Sequence, residues 1–331
     1  MTEIRSDRAG VTAARPAGDL RAYLAIARLD HSTKHVFVVP GIMLAYLLRG
    51  VRSEHLLLSM VGGMIAAVCV ASANYVINEY LDRDFDRFHP VKSQRAAVQT
   101  ELRGELVLLE WLGLVAAGLG AAALCSPAML VVAALFALQG VVYNVAPLRT
   151  KDKAYLDVIS ESINNPLRLM IGWAMVDPGT LPPGSVILLC WAGGAFLMAA
   201  KRLSEYREIA ASARAEWLVR YRASFAGYSE VSLTVSCLTY AMLSVFFIAV
   251  FLVKYRIEYL LVVPVIIGLF GHYLALSMGP QSAAQKPEKL FREKGLMALV
   301  ALLAATFVVA TFCSIPALGS LAGQRYISLP W

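Results

Sequence analysis

The chain is poor in charged residues, and this shortage is the first guide to its class. Asp, Glu, Lys and Arg make up 16% of its 331 residues, hydrophobic residues make up 58%, and mean hydropathy is +0.62. An ordinary soluble domain has about 25% charged residues. The composition therefore argues against a two-domain soluble enzyme and predicts a protein that crosses the membrane several times.

Paired cysteines and the common nucleotide-binding motifs are also missing. None of the five cysteines lies in a Cys-x-x-Cys pair, and each lies in or at the end of an apolar run. This is typical of small core residues, so we predict neither a disulfide framework nor a zinc site. No Walker loop, Rossmann fingerprint or G-x-S-x-G sequence occurs in a strand–turn–helix context.

The N-terminal residues lack the apolar core of a signal peptide. We expect a disordered cytoplasmic arm over residues 1–19 and a single transmembrane domain over residues 20–331. Nine apolar segments in that domain approach the roughly 20 residues that a membrane-spanning helix needs. They lie near residues 35–50, 56–78, 105–124, 127–143, 156–176, 184–203, 231–253, 257–278 and 295–315. Backbone polar groups in hydrocarbon must be satisfied internally, so we predict an all-α membrane protein with nine transmembrane helices.

The basic residues predict the orientation of these helices. Most of the 30 Lys and Arg lie in the N-terminal arm and in the loops after the second, fourth, sixth and eighth spans. The positive-inside rule therefore predicts a cytoplasmic N-terminus. This loop bias, together with anionic lipid, also explains a pI near 9.2, so we expect no nucleic-acid partner.

An oxygen-rich stripe follows the second span. Asn78, Asp82 and Asp86 are four residues apart, so on a helix they lie on one face, about 6 Å apart along the axis. Such a stripe suits Mg²⁺, which is usually held by one or two carboxylates together with substrate phosphates. The alternative is a solvated helix end, with pairs between these carboxylates and Arg83 and Arg87.

A second series lies within the fifth predicted span. Asp157, Glu161 and Asn165 repeat the four-residue spacing, and Arg168 follows. Ionisable residues inside a span are costly and usually mark function. Two facing acidic stripes can hold metal ions that bridge a diphosphate and neutralise the leaving charge. The alternative is an internal ion pair between Glu161 and Arg168 that only fixes packing.

Cationic and hydroxyl side chains are predicted to surround the two stripes on the cytoplasmic face. A substrate with several phosphates needs such groups, since Arg gives bidentate contacts and Lys gives point charges. For any single Lys or Arg, the alternative is membrane topology alone. The candidate substrate-binding residues are Lys34, His89, Lys92, Arg95, Tyr143, Lys151, Lys201 and Arg202, together with Asn78, Asn165 and Arg168.

These motifs resemble the UbiA superfamily of intramembrane prenyltransferases over roughly residues 20–315. The resemblance rests on nine spans, on N-x-x-x-D-x-x-x-D in "NEYLDRDFD", and on a second acidic motif, Asp157-x-x-x-Glu161. It implies that both motifs bind Mg²⁺ and a diphosphate donor around a central cavity. "DRFHPVKSQR" and "AAKRLSEYRE" are similar to signatures of the decaprenyl-phosphate phosphoribosyltransferase branch.

The resemblance implies a Mg²⁺-dependent transferase that releases pyrophosphate. The preferred version moves 5-phosphoribosyl from phosphoribosyl diphosphate to a polyprenyl phosphate. The enzymatic alternative moves a prenyl group from a prenyl diphosphate to an aromatic or other lipophilic acceptor, and a third possibility is a transporter. We expect a bacterial inner-membrane location with the active site facing the cytoplasm. Whether the protein forms homo-oligomers is left open. The predicted catalytic and metal-binding residues are Asp82, Asp86, Asp157 and Glu161.

Overall fold

A computed structural model of the chain describes residues 16–29, 35–89, 91–210, 217–279 and 293–322. In this part of the chain all regular secondary structure is helical, apart from one isolated bridge between Ala17 and Glu101, which confirms the all-α prediction. The α-helices are α1 (Leu20–Ile26), α2 (Val38–Arg49), α3 (Leu56–Asp86), α4 (Ala96–Gln99), α5 (Gly104–Cys125), α6 (Pro127–Asn144), α7 (Leu156–Ser162), α8 (Asn164–Val176), α9 (Gly184–Ala210), α10 (Trp217–Tyr221), α11 (Glu230–Tyr255), α12 (Val262–Met278), α13 (Lys294–Phe312) and α14 (Pro316–Ala322).

Residues 16–19, which were assigned to the disordered arm, are placed against the loop that precedes α5. The Gly18 amide donates to the Glu101 carbonyl at 2.9 Å, and the Asp19 side chain caps α1 by accepting from the Ala22 amide. Residues 1–15 lie outside the described residues. The described end of the arm is therefore held by backbone and capping hydrogen bonds.

Seven helices within the described residues are long and apolar enough to cross a membrane, which is typical of an integral membrane protein. They correspond to seven of the nine predicted spans. The first predicted span is the shorter apolar helix His35–Arg49. The fifth is not one helix but two, α7 and α8, and neither alone has the length of a span.

The break between α7 and α8 falls at Ile163, and Pro166 explains it. A proline has no backbone N–H, so Pro166 cannot donate to the carbonyl of Ser162, and proline is tolerated in the first turn of a new helix. The predicted second stripe is therefore divided. Asp157 and Glu161 lie on α7, whereas Asn165 lies in the first turn of α8.

The two largest clusters of buried apolar side chains among the described residues hold most of the long helices together. One lies among α2, α3, α6 and α8 and includes the buried side chains of Phe136 and Trp173. The other lies among α7, α9, α11 and α12 and includes Phe196 and Leu233. Large apolar side chains also cover the outer faces of the spanning helices, as expected where lipid is the solvent. Examples are Leu57, Leu109, Val231, Met242, Phe246 and Phe312.

Helices α2 and α8 approach each other closely through two glycines. A methyl group added at Gly172 would lie 2.0 Å from the Val38 carbonyl oxygen, and one added at Gly41 would lie 2.0 Å from the Leu169 carbonyl oxygen. Both obstacles are backbone atoms, so neither can be removed by a side-chain rotation. This contact sets the position of α8, which carries Asn164, Asn165 and Arg168.

We expect Gly172→Ala to destabilise the protein, because the added methyl group forces α2 and α8 apart. Overpacking of this kind costs about 1–3 kcal/mol. Thermal unfolding in detergent measures the effect as a lower midpoint. Gly113→Ala in α5 is the matched control, since a methyl group there meets nothing within 4 Å. Removing that helical glycine should leave the midpoint unchanged or raise it. Equal midpoints for the two variants would contradict the prediction.

Candidate functional site

One polar pocket gathers the first acidic stripe and residues from two later segments. It is lined by the C-terminal end of α3, by the turn at residues 149–152 and by residues 221–223. Two carboxylates of the stripe and three cations therefore face the same space. The lining residues are Asp82, Phe85, Asp86, Arg149, Lys151, Asp152, Tyr221, Arg222 and Ala223.

Asp82 is the central carboxylate of the pocket. Its Oδ1 lies 3.0 Å from Arg149 Nη2 and 2.5 Å from Lys151 Nζ, and its Oδ2 accepts from the Asn78 amide at 3.2 Å. Asn144 completes the arrangement, because its Oδ1 accepts from both Asn78 (2.6 Å) and Lys151 (2.8 Å). Arg149 lies 67 residues beyond Asp82 in the chain, and Asn144 lies 66 residues beyond Asn78. The first stripe thus faces cations from another part of the fold.

Asp86 and Glu79 share a second set of cations. Arg95 Nη1 lies 2.7 Å from Asp86 Oδ2 and 3.0 Å from Glu79 Oε1, and Arg28 Nη1 lies 2.9 Å from the same Glu79 oxygen. Asp86 is only 4% exposed, so the stripe does not end in a solvated helix terminus. Arg95, predicted to bind substrate, joins α3 to the segment that follows it through these ion pairs.

The turn at Arg149 has an unusual backbone conformation. Its φ of +28° lies in the left-handed region that few side chains adopt. Arg149 Nη1 donates to the Asn144 carbonyl at 3.0 Å, and its Nε donates to Asp152 at 2.7 Å. Such backbone strain is concentrated at functional sites, and here it directs the guanidinium toward Asp82.

The second motif lies inside a network of cations and hydroxyl groups. Asp157 is fully buried, and its two oxygens accept from Tyr228 (2.7 Å), Ser224 (3.1 Å), Arg202 (3.2 Å) and Arg222 (3.5 Å). Its carboxylate is therefore surrounded by donors from the loop before α11 and from α9.

Glu161 joins the same network one turn further along α7. Its Oε2 accepts from the Tyr143 hydroxyl at 2.6 Å and from Arg202 at 3.1 Å. Arg202 is 1% exposed and also donates to Glu205 at 2.8 Å. Tyr143 and Arg202, two predicted substrate-binding residues, thus contact predicted catalytic carboxylates. Glu161 pairs with Arg202 in α9, whereas the alternative interpretation of the sequence paired it with Arg168.

His89 and Lys92 lie beside this network. His89 is buried, and its Nδ1 accepts from the backbone amides of Val91 and Lys92 at 3.1 and 3.2 Å. Burial, reinforced by the charge of Lys92, lowers the pKa of His89 to about 3. Lys92 Nζ lies 3.5 Å from Glu205 and contacts the Tyr221 hydroxyl. His89 is therefore a neutral acceptor at neutral pH.

Asn165, Arg168 and Lys201 are three predicted substrate-binding residues that do not line the pocket. Asn165 packs its amide against Gly194 of α9, where an added methyl group would lie 1.9 Å from its Nδ2. Arg168 lies further along α8 and donates to the Asn164 carbonyl at 3.2 Å. Lys201 lies at the same end of α9 as Arg202, and its charge acts on His89. Lys34 lies outside the described residues.

Arg222 and Tyr221 are site residues that the sequence analysis missed. Arg222 Nη1 lies 3.5 Å from both Tyr143 and Asp157 and 3.4 Å from the Lys151 carbonyl, so it links the pocket to the second motif. In the sequence, Tyr221 and Arg222 belong to a loop with scattered basic residues. The positive-inside rule alone accounts for basic residues in such a loop. Only their contacts in the folded structure distinguish these two residues from the other residues of the loop.

The carboxylates of the first stripe line the pocket, whereas Asp157 and Glu161 do not. Asp82 and Asp86 present oxygen ligands to one pocket beside cations that suit a diphosphate, which is the usual setting of Mg²⁺. Within the described ranges no group of three or more His, Cys, Asp or Glu is placed to hold a metal ion, so phosphate oxygens would have to complete the coordination. The oxygens of Asp82, Asp86 and Asp157 all contact protein donors, so the metal roles of both motifs stay predictions.

Comparison with known proteins identifies a family and a fold. A family model described as the UbiA prenyltransferase family matches residues 37–300. The fold is similar to a UbiA homolog from Archaeoglobus fulgidus bound to DMAPP and Mg²⁺, with a TM-score of 0.64, 20% identity and coverage of 88% of this chain and 100% of that one. It is also similar to digeranylgeranylglyceryl phosphate synthase, with a TM-score of 0.60, 15% identity and coverage of 88% and 98%.

Two curated relatives are named protoheme IX farnesyltransferase. The protein from Alkalihalophilus pseudofirmus is 29% identical over 192 residues, which is 56% of this chain and 60% of that protein. The protein from Bacillus mycoides is 28% identical over 200 residues, which is 57% of this chain and 62% of that protein. The chain therefore matches about three-fifths of the length of these relatives.

We expect the folded protein to lose stability as the pH falls, because the buried His89 resists protonation. The unfolded chain binds a proton at His89 near pH 6.5, whereas the folded chain does so only near pH 3, so stability is retained above pH 6.5 and lost as pH falls through this window. By pH 5 the free energy of unfolding should be about 2 kcal/mol lower than at neutral pH. Unfolding midpoints in detergent from pH 8 to pH 5 should therefore fall more for wild type than for His89→Gln. A His55→Gln control, at an exposed position, should follow wild type. Parallel curves for all three proteins would contradict the prediction.

Proposed function

The chain belongs to the UbiA prenyltransferase family, and from this premise we propose that it moves a prenyl group from a prenyl diphosphate to a lipophilic acceptor within the membrane, releasing pyrophosphate. It is a transferase of the UbiA superfamily and an integral membrane protein, and its described residues include seven apolar helices long enough to span a membrane. Membership of a transferase family supports an enzyme over the transporter alternative. The observation that carries the proposal is the pocket in which Asp82 and Asp86 face Arg149, Lys151 and Arg222.

In this proposal Asp82 and Asp86 hold Mg²⁺ and the cations of the pocket bind the diphosphate. The bound ion supplies charge neutralisation for the leaving group. Arg149 and Arg222 offer bidentate donors, and Lys151 offers a point charge. Burial lowers the pKa of Lys151 to about 8, so this lysine still carries its proton at neutral pH. The Asn78 amide fixes the Asp82 carboxylate through its hydrogen bond.

The reaction breaks the bond between the prenyl carbon and the diphosphate oxygen, and the bonding electron pair leaves with the diphosphate. The pocket cations stabilise that negative charge as it develops, which is the largest electrostatic contribution available in such a site. The allylic cation is attacked by the acceptor, which then loses a proton.

We assign Asp157 and Glu161 to the positioning of Arg202 and Arg222. The ion pairs of these carboxylates hold two guanidinium groups beside Tyr143, at the edge of the pocket. If Asp157 and Glu161 bound a metal ion, as the resemblance implies, they would have to give up their ion pairs with Arg202 and Arg222. That loss would leave buried guanidinium groups without their partners, which is costly.

The prenyl version is preferred here to the phosphoribosyl version, which the sequence analysis had favoured. The relatives are named farnesyltransferases, and a similar solved structure is described with DMAPP. Two basic residues of the segment that resembles the phosphoribosyltransferase branch form ion pairs within the protein, Lys92 with Glu205 and Arg95 with Asp86 and Glu79. We further propose a bacterial inner-membrane location with the pocket and the N-terminus facing the cytoplasm, as the basic loops predict.

A comparison of donors tests the proposed reaction. Purified protein in lipid vesicles with Mg²⁺ is given radiolabelled farnesyl diphosphate with protohaem IX or an aromatic acid. A parallel reaction contains radiolabelled phosphoribosyl diphosphate with polyprenyl phosphate. We expect labelled lipid product and pyrophosphate only from the prenyl donor, and none when EDTA removes the metal. Product from the phosphoribosyl donor alone would overturn the proposal and support the other branch.

Substitutions in the first stripe test the residue roles. Asp82→Asn and Asp86→Asn remove a charge with little change of shape, so we expect turnover to fall about 100-fold or more, as for loss of a strong electrostatic contact. Asp84→Asn is the matched control on the same helix, because Asp84 is exposed and does not line the pocket. The rate of pyrophosphate release measures all three. Equal rates for Asp82→Asn and Asp84→Asn would exclude the proposed role.

A further inference from the structure

Glu79 is a buried carboxylate that follows Asn78 on α3 but does not line the pocket. It is 3% exposed, and Asp86 follows it by seven residues, so the two carboxylates lie on one face of α3, two turns apart. Asp86 also belongs to the stripe that begins at Asn78. The stripe and Glu79 therefore meet at Asp86.

A single guanidinium nitrogen joins these two carboxylates. Arg95 Nη1 lies 2.7 Å from Asp86 Oδ2 and 3.0 Å from Glu79 Oε1. One positive charge cannot neutralise two buried carboxylates, and an uncompensated buried charge is costly. A second cation is therefore needed on Glu79 if Arg95 is to stay on Asp86.

Arg28 supplies this second charge from the segment that follows α1. Its Nη1 lies 2.9 Å from the same Glu79 oxygen that Arg95 contacts. The two acids and the two arginines together carry no net charge. A chain of ion pairs thus runs from Arg28 through Glu79 and Arg95 to Asp86 in the pocket.

The backbone at Arg28 has the same unusual conformation as the turn at Arg149. Its φ is +51°, in the left-handed region that few side chains adopt, and φ at Arg149 is +28°. Arg149 directs its guanidinium toward Asp82 of α3. Arg28 directs its own toward Glu79 of the same helix. Such strain persists only where the surrounding structure imposes it, and it is concentrated at functional sites.

Helix α1 packs beside the two residues that Arg28 supports. Ile26 of α1 lies in one apolar cluster with Val76 of α3 and Ala97 of α4. Val76 and Ala97 are within three residues of the buried acid and of the arginine that it shares with Asp86. This packing fixes the position from which Arg28 reaches α3.

We infer that Arg28 and Glu79 are positioning residues for the diphosphate pocket. By neutralising Glu79, Arg28 leaves Arg95 on Asp86, and this ion pair fixes the Asp86 carboxylate where it lines the pocket. Without Arg28, Arg95 would move toward the unpaired Glu79, and Asp86 would lose the partner that orients it. This inference rests on the proposed diphosphate site and extends that site to the N-terminal segment of the chain.

Binding of pyrophosphate and Mg²⁺ tests the inference, because both candidate donors carry a diphosphate. The full-length protein in lipid nanodiscs is titrated with pyrophosphate in the presence of Mg²⁺ by isothermal calorimetry. We expect Arg28→Gln to bind about tenfold more weakly than wild type, as for loss of a group that orients a metal ligand. Arg28→Lys keeps the charge and should stay within about threefold of wild type. Wild-type affinity in folded Arg28→Gln would overturn the inference.

Removal of the second charge separates positioning from general damage to the fold. In Glu79→Gln no buried carboxylate competes for Arg95. This variant and the double variant Arg28→Gln, Glu79→Gln should therefore both bind within about threefold of wild type, a strongly non-additive result. A double variant that binds as weakly as Arg28→Gln would contradict the inference, because a second loss does not repair packing.

Arg21→Gln is the matched control, because Arg21 is exposed on α1 and should bind pyrophosphate as wild type does. Thermal midpoints establish that each variant is folded. If Arg28→Gln is not recovered as folded protein, the double variant is compared with Glu79→Gln. Equal affinities would support the inference, and a double variant about tenfold weaker than Glu79→Gln would overturn it.

The outcome is separable from that of the proposed function, because the titration uses neither a prenyl donor nor an acceptor. Binding that is lost in Arg28→Gln and rescued in the double variant, without any prenyl transfer, would keep the positioning role and reject the reaction. Prenyl transfer by a protein whose Arg28→Gln variant binds pyrophosphate as wild type does would support the reaction and reject the positioning role. A wild-type protein that binds no pyrophosphate would reject the diphosphate site on which the inference rests.

Discussion

The structure depends on the cost of placing charged groups inside an apolar bundle. A buried carboxylate or guanidinium is tolerated when it is paired and hydrogen-bonded, and removal of one partner is far more costly than the net value of the pair. Asp157, fully buried among four donors, shows this constraint most clearly. Its partners come from α9 and from the loop before α11, so satisfying one charge brings separate parts of the chain to one place.

The same constraint builds the pocket. Arg149 and Lys151 form ion pairs with Asp82, and the backbone at Arg149 adopts a strained conformation in the turn that makes this contact. Arg222 then contacts Asp157 and the Lys151 carbonyl, which places it between the two acidic motifs. The cations that hold the carboxylates in place are also the groups that would bind a diphosphate. One set of ion pairs thus serves folding and function.

The sequence predicted what is local and missed what depends on distant partners. Its four-residue spacing placed Asn78, Asp82 and Asp86 on one face of a helix, because helical geometry alone determines that. Pro166 was visible in the sequence, but the apolar length of the segment hid the break that it causes at Ile163. Arg222 could not be distinguished from other loop cations, because its role comes from contacts 65 and 71 residues away.

Arg168 departs from the pairing that governs the other buried charges. Arg202 has three carboxylate neighbours, whereas Arg168 has its own helix's carbonyl and an aromatic ring. Arg202 joins α9 to α7 through its ion pairs with Asp157 and Glu161, whereas Arg168 joins α8 to α6 through the ring of Phe136. Buried cations thus connect helices in two ways, by carboxylate pairs near the pocket and by an aromatic contact deeper in the bundle.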